Sequence, residues 1–153
     1  MRYWLMKSEP EDVSFADVLA SPARTTSWYG VRNYQARNFM RDAMQVGDGV
    51  LFYHSSCAVP GIAGIAEVAS GPYPDESQFD SKNKYFDPKA TREQPRWISV
   101  DVKATREIDF LPLTELRAMP ELEGMELLRK GSRLSISPVT ASEWKAILKR
   151  VKA

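Results

Sequence analysis

Two residue types with special chemistry are almost missing from this sequence, which contains one cysteine, Cys57, and one histidine, His54. A single cysteine cannot form a disulfide within the chain. A structural zinc site takes four ligands, mostly cysteine and histidine, so these two residues cannot build one. The sequence therefore predicts a fold that depends on neither a disulfide nor a metal, and we expect no metal site.

Long hydrophobic runs are missing as well. No apolar stretch approaches the roughly 20 residues that a membrane-spanning helix needs. Residues 1–10 also lack the basic flank, apolar core and small-residue cleavage site of a secretory signal. From these two absences we expect a cytoplasmic protein with no membrane partner.

The short motifs of common enzyme classes do not occur either: no glycine-rich phosphate loop, no Gly-x-Gly-x-x-Gly, no His-Glu-x-x-His and no Gly-x-Ser-x-Gly. His54, Ser55, Ser56 and Cys57 are consecutive. Neighbours in a strand point to opposite faces, however, so this spacing alone does not build a nucleophile with its base. We expect no enzyme activity and no cofactor.

What the sequence does contain is typical of one globular domain. The chain has 153 residues, of which 43% are hydrophobic and 27% charged, enough for one core and too few for two. We therefore expect a single domain over residues 1–153. Strands grouped in the middle of the chain, with helices before and after them, indicate an α+β fold with a small curved or partly closed sheet.

The individual elements follow from periodicity and from turn residues. A short amphipathic helix is predicted near Val13–Leu19, capped by Asp12 or Ser14, and Gly64 in the second strand of a hairpin predicts a bulge or close backbone approach. A capping box of Thr140 and Glu143 predicts the start of the last helix. The further predictions are strands at Arg2–Lys7, Gly49–Ser55, Ile62–Ala69, Trp97–Thr105 and Leu134–Ile136, and helices at Asn33–Met44, Leu113–Arg117 and Glu126–Arg129.

The net charge of +1 conceals a basic, aromatic segment. Residues 24–41 hold four arginines and no acid, with Trp28, Tyr29, Tyr34 and Phe39 among them. Within it, residues 28–38 combine aromatic, amide and guanidinium side chains. Amides read the edges of bases, arginines hold phosphates and aromatic rings stack on bases. Each residue alone has an ordinary structural explanation, but together they favour a surface that faces nucleic acid.

A second unusual segment is the long loop Pro72–Pro95, which has no clear periodicity. It carries four prolines together with Phe79, Tyr85 and Phe86. Long loops in compact domains are uncommon and tend to be functional or disordered, and disordered segments contain few aromatic residues. The composition therefore favours a functional loop.

Several motifs along the chain together resemble the EVE domain family. They are Lys7-Ser8-Glu9-Pro10, the run from Trp28 to Asn38, Phe52-Tyr53-His54-Ser55, Gly61 to Ile65, Tyr85-Phe86-Asp87-Pro88, Arg96-Trp97 and Arg133-Leu134-Ser135. The resemblance covers essentially the whole chain. It implies a PUA-like fold, a curved barrel with flanking helices that YTH and ASCH domains share. One departure is Tyr29, where the family pattern usually has an acid.

The resemblance also implies a pocket for a modified base. By similarity Ser8 lies at the pocket edge, Trp28 is one wall, and Phe79, Tyr85 or Phe86 is the second wall. The full set of expected pocket residues is Ser8, Glu9, Trp28, Tyr29, Gly30, Val31, Asn33, His54, Ser55, Phe79, Tyr85, Phe86 and Trp97. The expected phosphate-binding residues are Arg32, Arg37, Arg41 and Arg133.

The function expected on these grounds is a non-catalytic module that binds nucleic acid and reads a modified cytosine or adenine. Its partner is modified DNA or RNA, and the base enters the pocket from a flipped or single-stranded position. One alternative is a small hydrolase or nucleotide-processing enzyme that uses His54 with Ser55 or Glu9. Another is a module that binds a small ligand or a protein.

Overall fold

A six-stranded sheet, strongly curled into a half-barrel, organises the α+β fold of the computed structural model, which describes residues 1–151. The strand order is β2-β7-β4-β3-β1-β8, and the short strands β5 and β6 form a separate two-stranded ribbon. The strands are β1 (Tyr3–Ser8), β2 (Thr25–Ser27), β3 (Gly49–His54), β4 (Gly61–Val68), β5 (Tyr73–Pro74), β6 (Ile98–Ser99), β7 (Asp101–Pro112) and β8 (Ile136–Val139).

Four α-helices flank this sheet, together with single turns of 3₁₀-helix. The α-helices are α1 (Phe15–Ala20), α2 (Tyr34–Asn38), α3 (Leu113–Arg117) and α4 (Ala141–Arg150). The 3₁₀ turns are Pro22–Arg24, Glu76–Phe79, Pro120–Leu122 and Glu126–Leu128. In residues 1–151 no helix has both the length and the apolar composition needed to cross a membrane.

The sheet has a separate hydrophobic core on each face. Because successive side chains of a strand point in opposite directions, Trp4 and Met6 pack on one face and Leu5 on the other. Phe52 joins the first core and Leu51 the second. Helices α1 and α2 cover the first face, and α3 and α4 cover the second.

Several predictions from local sequence signals are confirmed. Strands β3 and β4 form the antiparallel hairpin, with a register shift beside Gly64, where an added Cβ would clash with the Phe15 ring. Ser14 caps α1, and Thr140 with Glu143 forms the capping box of α4. The two capping signals act over three residues, so the sequence displays both partners.

Other predicted elements differ in extent. The strand predicted at Trp97–Thr105 is split into β6 and β7, and β7 continues to Pro112 because it pairs with β4 along almost its whole length. The strand predicted at Leu134–Ile136 lies instead at β8, which contains Pro138. Proline is tolerated there because β8 is an edge strand.

The helix predicted at Asn33–Met44 is interrupted. It begins with the Asn33 cap as predicted, but after α2 it widens into a π-helix over Phe39–Ala43, closed by a bond from Met44 N–H to Phe39 O (2.9 Å). Tyr34 is 52% exposed and stacks on Trp97 with ring centroids 4.9 Å apart.

The parallel pairing of β1 with β3 decides where a site can form. Parallel strands end at the same edge of a sheet, and here Ser8 pairs with His54 at that edge. Ser55 N–H donates to Ser8 O (2.9 Å), and Lys7 N–H donates to Ser135 O (2.8 Å). Three segments distant in sequence therefore meet at one edge of the sheet.

Candidate functional site

A cavity of about 500 Å³ opens at this edge, between the ends of β1 and β3 and the segment that follows β2. Nine of the predicted pocket residues line it: Ser8, Glu9, Trp28, Tyr29, Gly30, Val31, Asn33, Ser55 and Tyr85. Arg32 and Arg133 of the predicted phosphate set line it as well. His54, Phe79, Phe86, Trp97, Arg37 and Arg41 do not.

Trp28 belongs to both the cavity wall and the core. Its side chain is 6% exposed and packs edge-on against Phe52, with ring centroids 5.2 Å apart. Its indole N–H has no hydrogen-bond acceptor among residues 1–151, although the buried Trp4 and Trp97 donate theirs to Asp48 (3.0 Å) and Asp87 (2.8 Å). Trp28 thus offers a free donor in a wall that is otherwise well packed.

Tyr85 is the loop aromatic that reaches the cavity, out of the three that the sequence offered. Its ring lies directly over Gly30, where an added Cβ would be 2.7 Å away and where φ is +85°, so this position requires glycine. The Tyr85 hydroxyl donates to Asp12 (3.1 Å), and the exposed Tyr29 packs edge-on against the same ring at 5.9 Å. Burial is the main cause that raises the pKa of Tyr85.

Arg32 stabilises the Tyr85 wall of the cavity through hydrogen bonds. All five of its N–H groups have acceptors within the protein: Nε and Nη2 donate to Tyr85 O, Nη2 also to Ser77 Oγ, and Nη1 to Val31 O and to Asp75 Oδ2. The Asp75 side chain is fully buried and also accepts from Gly30 N–H (2.7 Å). The predicted phosphate contact of Arg32 would require these bonds to be exchanged.

The next two predicted phosphate ligands are also engaged within the protein. Arg37 donates to Asn38 Oδ1 and Arg96 O and lies over the Tyr34 ring, while Arg41 forms an exposed ion pair with Asp42 (2.8 Å). Neither residue lines the cavity. Their phosphate contacts stay predictions, and the structure places them away from the pocket.

The remaining predicted pocket residues have structural partners elsewhere. His54 Nε2 accepts a hydrogen bond from Phe15 N–H (3.1 Å), and burial lowers the pKa of this imidazole. Trp97 stacks on Tyr34 behind Arg32, and Phe79 lies under the Arg92 guanidinium. Phe86 is 39% exposed outside the cavity.

Sequence reasoning missed Lys7 as a cavity residue. It lines the cavity and forms no salt bridge with any acid in residues 1–151. Burial lowers the pKa of Lys7, and the charge of Glu126 opposes that shift. The available signal was a lysine at the end of the otherwise apolar strand β1.

Among residues 1–151 there is no cluster of three or more His, Cys, Asp or Glu residues arranged to hold a metal.

Comparison with known proteins identifies the family. The family model of the EVE domain matches residues 2–150. The chain belongs to the EVE domain family. Human thymocyte nuclear protein 1 is 43% identical over an alignment of 164 positions, which covers 95% of this chain and 72% of that protein. The zebrafish (Danio rerio) thymocyte nuclear protein 1 is 44% identical and covers the same share of this EVE domain and 70% of its own length.

Solved structures agree with this membership. A protein from Pseudomonas syringae superimposes on this EVE domain with a TM-score of 0.92 at 46% identity, covering 97% of this chain and 98% of its own. The human THYN1 protein, solved in complex with DNA that contains 5-methylcytosine, gives a TM-score of 0.91 at 41% identity over 98% and 97% of the two chains. An ASCH protein from Zymomonas mobilis, at 9% identity and a TM-score of 0.60, shares the PUA-like fold.

Proposed function

We propose that this EVE domain is a non-catalytic reader that binds DNA containing 5-methylcytosine and takes the modified base into the cavity beside Trp28. The observation that carries the proposal is the free indole N–H of Trp28 in the wall of a 500 Å³ cavity. A base edge bears acceptors that can receive this hydrogen bond. The human THYN1 complex with 5-methylcytosine DNA, at 41% identity, supports the same ligand.

The size and composition of the cavity suit a single base. Cavities of about 300 to 1,000 Å³ hold small organic ligands, and this one lies within that range. Aromatic side chains line it at Trp28, Tyr29 and Tyr85, and small hydroxyl side chains line it at Ser8 and Ser55. Rings provide surface for a base to pack against. The Ser55 hydroxyl can bond the base edge, whereas the Ser8 hydroxyl already donates to Val13 O (2.6 Å) and can only accept from a base.

A base in duplex DNA must leave its stack to enter such a cavity. Extrusion costs a few kcal/mol, and a base–aromatic contact recovers about 1 to 3 kcal/mol. Because only 6% of Trp28 is exposed, its ring offers little stacking area. Tyr29 and Tyr85 therefore carry most of the aromatic contact in this proposal, and Trp28 contributes its N–H.

The test is a binding titration with fluorescently labelled duplexes that differ only in one methyl group on a central cytosine. Trp28→Phe keeps an aromatic ring and removes the N–H, so we expect the affinity for the methylated duplex to fall by the value of one hydrogen bond, about 0.5–1.5 kcal/mol. This variant is sharper than Trp28→Ala, which would also remove core packing beside Phe52.

Trp144→Phe is the matched control, because Trp144 stacks on Tyr3 at 4.5 Å and does not line the cavity. It should leave both affinities unchanged. Equal wild-type affinity for methylated and unmethylated duplexes would refute the reader function. A methylated single-stranded RNA, titrated in parallel, shows whether the preference extends beyond DNA.

The enzyme hypothesis has its own experiment. The His54 Nε2 atom is occupied by the Phe15 amide and lies outside the cavity that contains Ser55 and Glu9. We therefore expect no turnover of nucleotide or ester substrates by the purified protein. Activity that persists through repurification and disappears in His54→Ala would favour the enzyme instead.

A further inference from the structure

The cavity contains two cations that the protein leaves without an acidic partner. Lys7 and Arg133 both line it, and neither lies within 4.0 Å of a carboxylate oxygen in residues 1–151. The third cavity cation, Arg32, is fully bonded to Asp75 and to backbone carbonyls. Lys7 and Arg133 are therefore the cavity cations that can accept a new anion.

The fold holds the segments that carry these two cations next to each other. Lys7 is the penultimate residue of β1, and its N–H donates to Ser135 O (2.8 Å). Ser135 also lines the cavity and lies two residues after Arg133. The backbone bond therefore fixes the Arg133–Ser135 segment beside the end of β1.

Two of the three nearby acids already have a cationic partner. Asp12 binds the Lys84 ammonium (2.7 Å) and the Tyr85 hydroxyl. Glu126 binds Arg129 (3.1 Å) and the Ser132 hydroxyl. Glu9 is the one cavity acid of the described chain without such a partner, and it is exposed to solvent. The unpaired charges of the cavity, two positive and one negative, sum to a net positive value.

Half-burial of Lys7 is unfavourable, because its ammonium loses water and the charge of Glu126, which is paired with Arg129, only partly offsets that loss. A bound anion would supply an opposite charge and accept the N–H donors of Lys7. An ammonium and a guanidinium from neighbouring segments of one cavity match a phosphodiester, whose oxygens accept several charge-assisted hydrogen bonds.

We propose that Lys7 and Arg133 form a phosphate subsite, which binds the backbone phosphodiester next to the inserted nucleotide. The subsite rests on the proposed function, since it assigns to the same cavity the backbone contact that holds DNA there. Of the four predicted phosphate ligands the subsite keeps Arg133, and it adds Lys7. It leaves out Arg32, Arg37 and Arg41, whose donors are bonded within the protein. Such contacts position DNA and carry no sequence information.

The double variant Lys7→Gln with Arg133→Gln tests the subsite. Glutamine keeps most of the side-chain length and removes the charge, and at Lys7 it removes a desolvated charge, so the fold is preserved. We expect methylated and unmethylated duplexes to lose affinity by the same factor, about tenfold or more. The slope of log affinity against log salt concentration should fall by about 0.9, the value for one phosphate contact in duplex DNA.

Lys145→Gln with Arg106→Gln is the matched control. Both residues are exposed, lie outside the cavity and form no ion pair within residues 1–151. Their replacement changes the net charge by the same amount. The control should therefore shift the salt slope much less than the cavity pair does.

A chemically modified duplex locates the phosphate. Duplexes with one neutral methylphosphonate, either beside the 5-methylcytosine or six nucleotides away, are titrated with wild type and with the Lys7/Arg133 variant. The variant should bind the adjacent-methylphosphonate duplex as well as wild type does, because the charge it would contact is already absent. On the duplex with the remote methylphosphonate the tenfold difference should persist.

The outcomes separate the subsite from the reader function. Wild-type preference for 5-methylcytosine with no loss in the variant would overturn the subsite alone. A loss confined to the methylated duplex would also overturn it, because Lys7 and Arg133 would then read the base. Wild type that binds no DNA would overturn both.

Discussion

Trp28 and Trp97 have the same exposed fraction, 6% each, yet their surroundings differ in one decisive respect. Trp97 donates its indole N–H to Asp87 (2.8 Å) and stacks on Tyr34. Trp28 lines a cavity, and its N–H has no acceptor in the described chain. Burial therefore does not separate a structural tryptophan from one that can bind a ligand; hydrogen-bond satisfaction does.

Arg32 connects these two regions. Its guanidinium carbon lies 5.3 Å from the centroid of the Trp97 ring and 5.5 Å from that of Tyr85, while its N–H groups bond Tyr85 O and Asp75. The structural region around Trp97 thus holds the cavity wall in place through one side chain. A substitution of Arg32 should therefore disturb the contact between the two regions most strongly.

The largest effect is expected for Arg32→Gln. This change leaves the Asp75 carboxylate buried without its cation, and breaking a buried ion pair costs about 3–5 kcal/mol. The free energy of unfolding in urea measures the loss. Arg41→Gln is the control, since the exposed Arg41–Asp42 pair is screened by solvent and should contribute little. Equal effects of the two changes would contradict the bracing role.

A smaller effect distinguishes the tryptophans directly. Trp97→Phe removes the donor to Asp87 and leaves that carboxylate with one fewer bond, which should cost about 1–3 kcal/mol of stability. Trp28→Phe removes the same ring volume and no internal hydrogen bond, so its stability loss should be smaller. Urea unfolding of both variants gives the difference, and a larger loss for Trp28→Phe would reverse the comparison.

The Trp97 region should also respond to acid. The Trp97 N–H, followed by the Lys89 amide, holds the pKa of Asp87 below its ordinary value of 3.8. A carboxyl group with a depressed pKa stabilises the fold above its unfolded-state pKa, and this contribution is lost as pH falls through the lower folded-state value. The free energy of unfolding, measured as the pH is lowered from about 5 to about 2, should fall less steeply in Trp97→Phe than in wild type.

The cavity should respond to alkali, with the smallest effect. Burial lowers the pKa of Lys7 below 10.5, so its ammonium loses its proton at a lower pH than an exposed lysine does. The affinity for DNA should then decrease as pH rises through that lowered value. Lys7→Arg keeps the charge and should remove the decrease. A DNA titration over pH 7 to about 10 compares the two proteins.

The elements and residues that could be predicted from sequence share one property, which is that their partners are close in the chain. The capping box joins Thr140 to Glu143, and the alternation of apolar and polar residues that predicts β7 is visible in consecutive residues. The run from Trp28 to Asn33 was placed in the site because its composition alone is unusual.

The remaining features depend on distant partners. Arg32 was predicted to bind phosphate because its sequence neighbours carry no acid, but folding brings Asp75 to it across 43 residues. Lys7 was overlooked because nothing in β1 shows that β3 and the Ser135 segment end beside it. Which charges are free is a property of tertiary contacts, which a linear charge pattern does not contain.

The bond from Gly30 N–H to Asp75 has a practical consequence. It joins the wall around Tyr85 to the segment after β2, and neither Gly30 nor Asp75 belongs to the six-stranded sheet. Opening this contact together with the Arg32 bonds to Tyr85 O would release the Tyr85 side of the cavity and leave the sheet intact, which is local unfolding rather than denaturation. Circular dichroism would register a folded protein in that state. Hydrogen exchange at the Gly30 amide reports whether the cavity itself is assembled.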